Sequence, residues 1–444
     1  MANNSFIKVV LAHTPKYVSG SVVAAGAALL MTKYYTIVFS PEQFGVLALY
    51  LVMFQYVVTF SSLNLDSGST RFYFDYRKTK RDEYLSTIFW LITFVSFSVL
   101  LIGLFLMDFV SNWINPGSQN IYLVTLFTGV LGVYVSFLTR VLFNEHKSTS
   151  VMRHSIFQTF INHASSIIFV SVFNLGVLGR ISGQGLGYFL NIFTLLKEFS
   201  QENLFKLKMT FNQSMAKETF VLTIPSMIAA IQGIAFVYLD RVFIKAYIGD
   251  SAVGIYTLGY FLGQSLSLVY EAISQAILPK VFNDMNEDYK GARVELESFS
   301  YKYYIGLTMV TIIISTFSSL IVDIFSNNNY KDASIVMPFI MAGFMMAGFY
   351  KIPSLILGFN KVVWFYTWLP IVSFSTNALL NWWLIPIYGI IGAAFASFIG
   401  FFLYSFIMQL LCHKFTSERY LKFIIFKYLI ILIVVSFFFL REIS

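Results

Sequence analysis

KYYTIVFSPEQFGVLALYLVMFQYVVTFSSLNLDSGSTRFYFD, Lys33–Asp75, is the stretch whose reading decides the fold. It holds the end of one apolar run, the short turn Ser40–Gly45 and a second apolar run to Leu65. A charged segment follows that gathers five Lys/Arg by Arg81. A turn too short to hold a domain, with basic residues massed at the far end, describes a membrane hairpin whose two faces differ. The pattern returns 209 residues later: Arg241 precedes GDSAVG (Gly249–Gly254), and an apolar run then leads into PKVFNDMNEDYK (Pro279–Lys290). Gly45 falls on Gly254 and Gln55 on Gln264 at that one offset. Farther along, GRISGQGLGYFL (Gly179–Leu190) lies over GAAFASFIGFFL (Gly392–Leu403) at an offset of 213, matching Gly179 with Gly392 and Gly187 with Gly400. The chain reads as two copies of one membrane unit.

Composition agrees. With 57% hydrophobic and 12% charged residues, the chain lacks the polar surface of a water-soluble globule. Its apolar residues come in runs of about 20, the length of membrane-spanning helices, not as the alternating ten-residue segments of a β-barrel. The net charge of +8 does not call for a nucleic-acid partner, because the basic residues sit in the connections between spans and report orientation. One cysteine, Cys412, excludes an internal disulfide framework and a cysteine metal cluster, and the five histidines lack metal-ligand spacing. No cofactor is expected.

Spans are read at 17–39, 43–65, 85–107, 119–142, 154–175 and 178–196, and again at 218–243, 251–278, 300–322, 333–357, 363–385 and 388–411. The run 17–39 is too long for a signal-peptide core and is taken as an uncleaved first span. The domain plan is an N-terminal six-span lobe (1–196), a polar linker (197–217), a C-terminal six-span lobe (218–411) and a tail (412–444). Within the tail, 423–440 reads as a thirteenth span or a surface helix; residues 1–16 read as a surface helix or a disordered tail. Inner segments hold 23 Lys/Arg, outer segments hold five, and Lys33 and Lys427 lie inside apolar runs, which accounts for all 30. That bias places the N-terminus in the cytoplasm. An even number of spans per lobe makes the repeats parallel.

Ionisable residues inside spans are the default pointers to function, since a cation at a helix centre costs roughly 2.5 to 3.5 kcal/mol. Lys33 and Arg241 stand at near-equivalent positions of the two repeats. Two cations facing one cleft would form a site for a multiply charged anion; the alternative for Lys33 is snorkelling of its stem to the interface. Asp240 points to another face of its helix, as a structural partner elsewhere. Glu271, deep in the eighth span, reads as an ion-coupling group or as the partner of a cation such as Arg241, against an interhelical hydrogen bond. Asn377 and Asn381 read as interhelical hydrogen bonders. Arg140 and Lys351 lie at the cytoplasmic ends of spans.

TKYYTIVFSPEQFG (Thr32–Gly45), LDSGSTRFYFD (Leu65–Asp75) and YLDRVFIKAYIGDSAVGIY (Tyr238–Tyr256) resemble the polysaccharide-transporter branch of the multidrug/oligosaccharidyl-lipid/polysaccharide exporter superfamily, the Wzx-type O-antigen flippases. The resemblance spans about residues 10 to 412. It implies an all-α fold in which two six-helix lobes form a V-shaped bundle around a central cleft that opens alternately to either side. The family's cationic cleft residues carry over to Lys33 and Arg241, and to Arg71, Arg140 and Lys351. It implies a protein of the bacterial inner membrane that flips an undecaprenyl-pyrophosphate-linked oligosaccharide. Membrane lipids and the O-antigen polymerase machinery are the partners implied.

The other transporter reading is a cation-coupled multidrug exporter, which needs acidic residues in its cleft; only Glu271 is placed for that. A membrane polymerase or glycosyltransferase would carry its acceptor site in large outer loops, and the longest one here, Asp108–Ser118, has eleven residues. The expectation is therefore a transporter and not an enzyme. No phosphate-cradling Gly-Lys motif is present to bind ATP, so drive would come from an ion gradient or from removal of product. Cysteines placed singly in a protein lacking Cys412 should label from the cytoplasm at 197–217 and from the periplasm at Asp108–Ser118; periplasmic labelling of the linker would overturn the orientation.

Overall fold

Inside a bilayer every backbone N–H and C=O must find its partner within the chain, so each long apolar run closes its own hydrogen bonds as a helix. The computed structural model describes residues 26–76, 80–362 and 364–416, together with 428, 431 and 435. The helices are α1 (26–38), α2 (Pro41–Ser62), α3 (Leu65–Tyr76), α4 (Arg81–Phe105), α5 (Met107–Ile114), α6 (Gln119–Asn144), α7 (Ser148–Ile167) and α8 (Gly176–Gln201). They continue as α9 (Gln213–Tyr247), α10 (Asp250–Gln264), α11 (Leu266–Glu287), α12 (Tyr289–Thr316), α13 (Ser318–Phe325), α14 (Ala333–Phe349), α15 (Lys351–Phe359) and α16 (Phe365–Thr416).

Several pairs form one pass each: α2 with α3, α10 with α11, α14 with α15, and α12 with α13 across a 64° bend. α16 is two passes, because Gly389 leaves helical geometry at φ 60° and the chain folds back, bringing Ser373 to the Gly400 carbonyl at 2.6 Å and Asn377 to Ser397 at 3.4 Å. Counted this way, twelve helical segments stand where the hydropathy pattern reads twelve spans, and among the described residues eight helices, or nine with the bent pair, are long and apolar enough to cross a membrane. The surface helix read over 1–16 lies outside the described residues, as does nearly all of the 423–440 segment.

Helices run farther than the apolar runs. The charged stretches after Leu65 and after Ile277, read as loops, continue as α3 and α11. The 197–217 linker is helical except over 202–212. Beyond the bilayer these extensions keep one apolar face: in α3, Leu65, Ser69 and Tyr73 are buried at i, i+4 and i+8 while Arg71 and Phe74 are exposed.

The duplication is written into the coordinates. A Cβ on Gly45 would overlap the Asp250 carbonyl oxygen and stand 3.0 Å from the Gly254 nitrogen; one on Gly254 would overlap the Pro41 carbonyl oxygen and stand 3.0 Å from the Gly45 nitrogen. The contact is reciprocal, and each residue exchanges with its counterpart 209 positions on. Arg71 pairs with Asp75 one turn on in α3, and Lys280 pairs with Asp284 in α11 at the same offset. Gly176 and Gly389, 213 apart, take positive φ of 54° and 60° at the two hairpin turns. A side chain disfavours that conformation, so glycine recurs there.

By compactness the chain divides into two units whose borders are not those of the linker. One holds the described residues up to Gly45 and those from Leu239 on; the other holds Val46–Tyr238, so the division falls within α9. In the first unit, α1 and Phe39 just beyond it are tied to the end of α13 and the segment that follows: Thr36 donates to the Phe325 carbonyl at 2.7 Å, Asn327 to that of Thr36 at 2.9 Å, and Tyr330 to that of Phe39 at 3.0 Å. In the second, Tyr84 meets Thr219 at 3.1 Å and Asn64 donates to Ser226 at 2.8 Å, joining α4 and the α2–α3 break to α9. Gly45→Val and Gly254→Val should each lower the stability of the purified protein by about 1 to 3 kcal/mol through overpacking. Gly306→Ala, where an added Cβ meets nothing within 4 Å, should leave thermal unfolding unchanged or slightly later.

Candidate functional site

In the unit that begins at Leu239, the last turns of α9 present Asp240 and Arg241 about 100° apart around the helix. Asp240 is fully buried. Its carboxylate accepts hydrogen bonds from Tyr256 on α10, Asn381 on the first pass of α16 and Ser397 on the second, each at 2.5 Å. Asn381 also donates to Asn377 at 3.1 Å, one turn earlier. The sequence reading gave Asp240 a structural partner elsewhere and the two asparagines interhelical bonds; that they share one centre could not be read. The visible signal was Asn377 and Asn381 at i, i+4 in an otherwise apolar span. The donor set of oxygens and amides suits a proton or a hard cation, not a transition metal. No group of three or more His, Cys, Asp or Glu stands ready for a metal among the described residues.

Arg241 is buried too, at 4% exposure. Its Nε donates to Thr257 at 3.1 Å, and the guanidinium lies 4.7 Å from the Tyr260 ring centroid and 5.8 Å from that of Tyr256. Lys33, its near-equivalent in the first repeat, is exposed on α1. The two positions correspond in sequence but differ in surroundings.

Glu271 pairs with Lys351 at 2.6 Å and not with Arg241. Its side chain is 44% exposed, so the deeply buried carboxylate expected there is not found. The helix breaks at Ser265 between α10 and α11, so periodicity before the break does not carry over to Glu271. Lys351 lies 5.5 Å from the Tyr270 ring and 5.4 Å from the Tyr350 ring.

In the unit Val46–Tyr238, Arg71 forms an exposed pair with Asp75 at 2.8 Å, of a kind that contributes under about 1 kcal/mol. Arg140, on α6, donates to the Ser67 hydroxyl at 3.3 Å and sits over Phe143 at 5.6 Å. One turn before it, Ser136 donates to the buried Asp66 carboxylate at 2.5 Å. Arg140 borders an open cavity of about 430 Å³ lined by α2, α6, α7 and α8. Nothing in the sequence marks that cavity. Its walls come from four helices, and Gln55 stood out only as a repeat match.

A family model described as "Polysaccharide biosynthesis protein" matches residues 11–284. No curated protein matches the chain. Among solved structures the chain is similar to an inward-facing multidrug resistance MATE family transporter of the MOP superfamily (TM-score 0.77, 12% identity, covering 92% of this chain and 98% of that one). It is also similar to the lipid II flippase MurJ in an inward closed conformation (TM-score 0.72, 14% identity, 95% and 96% covered). A third match is a MOP superfamily transporter from Pyrococcus furiosus whose binding pocket is described as reversed in polarity (TM-score 0.67, 12% identity, 94% and 97% covered). These likenesses establish the polytopic twelve-helix fold.

Removing the Asp240 carboxylate would strand three buried donors at about 1 to 3 kcal/mol each. Asp240→Leu should therefore abolish recovery of folded protein from membranes, while Asp240→Asn, which keeps one acceptor oxygen, should be recovered with lowered thermal stability.

Proposed function

We propose that this chain, which belongs to the polysaccharide biosynthesis protein family, flips an undecaprenyl-pyrophosphate-linked oligosaccharide across the bacterial cytoplasmic membrane by alternating access. One observation carries the reading. Three carboxylates of the spans are engaged inside the protein: Asp240 by Tyr256, Asn381 and Ser397, Asp66 by Ser136, and Glu271 by Lys351. Two cations, Lys33 and Arg140, have no carboxylate partner among the described residues. A membrane protein that leaves positive charge available suits an anionic substrate. A multidrug exporter of cations would need the opposite balance.

The pyrophosphate would move against these cations while the polyprenyl tail stays in lipid, so the charge never enters hydrocarbon unaccompanied. The match to a lipid II flippase supports this reading, since its cargo is named as a lipid and the family here is one of polysaccharide biosynthesis. Of the five candidate cations, the reading keeps Lys33 and Arg140 for the phosphates. It gives Arg241 the task of holding α9 to α10 beside Asp240, and it leaves Lys351 and Arg71 to their ion pairs. A transporter rather than an enzyme is the consequence, with Asp240 the span carboxylate best sheltered to sense an ion gradient and Glu271 a second, more exposed candidate.

Removing one partner of a desolvated charge contact costs roughly 2 to 5 kcal/mol, or about 30- to several-thousand-fold in affinity. In a host lacking its own flippase, Lys33→Ala and Arg140→Ala should each abolish surface glycan at normal membrane levels, and Lys33→Arg should restore it. Wild-type glycan from both alanine variants would reject the cationic route.

A further inference from the structure

We propose that the cavity in the Val46–Tyr238 unit is a recognition site for a single pyranose that carries an anionic group. The proposal rests on the flippase reading for the source of the ligand, and on the cavity's own chemistry for its class. The volume, about 430 Å³, lies in the range of small-molecule sites. Six of its lining residues define the chemistry: Phe54, Gln55, Thr139, Arg140, Gln158 and Tyr188.

Each kind of lining group answers a feature of a sugar acid. Phe54 and Tyr188 stack on one another with ring centroids 5.9 Å apart and planes 17° from parallel, an aromatic pair against which the C–H face of a pyranose can pack. Gln55 and Thr139 form no hydrogen bond with the protein among the described residues, so a carboxamide and a hydroxyl are available for ring hydroxyls or an N-acetyl group. Gln158 is fixed in place by Asn191, which donates to its Oε1 at 2.8 Å. Arg140 supplies the charge, held among the described residues by a 3.3 Å contact to Ser67 and by the Phe143 ring.

The other ligand classes fit worse. A bare inorganic anion would leave the aromatic pair and both glutamines unused, and an apolar drug or acyl chain would leave Arg140 and Gln55 desolvated against nothing. The second repeat shows the contrast. Lys351, which stands 211 residues after Arg140, is already neutralised by Glu271 at 2.6 Å. Recognition of the sugar's charge is thus assigned to one repeat. The anion has two sources with one chemistry, either the phosphate on a reducing-end sugar or the carboxylate of an acidic sugar in the glycan.

Isothermal titration of the full-length protein in lipid nanodiscs distinguishes them, with N-acetylglucosamine 1-phosphate, glucuronic acid and inorganic phosphate as probes. One sugar acid should bind at least tenfold more tightly than inorganic phosphate, and which one it is names the source. Arg140→Gln should weaken it by about tenfold or more, as loss of a charge-assisted hydrogen bond does, and Gln55→Leu by about threefold to tenfold. Arg140→Lys should keep part of the binding, which separates loss of charge from misfolding. Inorganic phosphate binding as tightly as both sugar acids, no binding of either by folded protein, or Gln55→Leu and Arg140→Gln proteins that bind as the wild type does would each overturn the assignment. Failure of the flippase reading is seen elsewhere, in a wild-type chain that exports no glycan while its sugar-acid binding still depends on Gln55.

Discussion

The backbone approach of Gly45 and Gly254 is the constraint on which the two-fold plan depends. Lipid tails are as apolar as leucine, so no hydrophobic force drives helices together within a bilayer, and close packing of small residues must do it. Here α2 and α10 begin at the same contact, with the carbonyls of Pro41 and Asp250 lying where side chains would otherwise stand. A reciprocal contact of this kind requires each repeat to present the same surface to the other. That explains why two segments 209 residues apart keep glycine at one register while most of their neighbours differ.

Around that contact the molecule manages charge in two ways. Asp240, Asp66 and Glu271 in the spans are paired or hydrogen-bonded, which offsets the cost of removing them from water. Asp240 is the extreme case, with donors from three helical passes converging on one side chain. Several cations are treated alike: Arg241 over Tyr260, Lys351 against Glu271, Arg71 beside Asp75. Lys33 and Arg140 are the exceptions among the candidates, and exceptions to neutralisation are where a membrane protein meets charged cargo.

The same economy explains the asymmetry between the repeats. Lys33 and Arg241 occupy near-equivalent positions, yet one is exposed and the other is 4% exposed. Arg140 borders a cavity, whereas Lys351, at the matching place in the second repeat, is held by a carboxylate. A duplicated fold begins with two equal sites. Substitution of the surrounding residues then lets one repeat specialise in binding and the other in holding its own ionisable groups.

The sequence by itself determined the membrane class, the twelve passes and the repeat, because hydrophobic run length and glycine register are local properties that a bilayer turns directly into helices and contacts. It also singled out the cations, since charge in a span is conspicuous in any apolar sequence. Only the tertiary structure decided which of them are engaged. The partner of Glu271 lies 80 residues away across the break at Ser265, the donors to Asp240 come from helices up to 157 residues distant, and the cavity beside Arg140 is bounded by four helices. Periodicity carries a side chain's direction along one unbroken helix, and it carries nothing across a kink or between helices, where packing sets the angle.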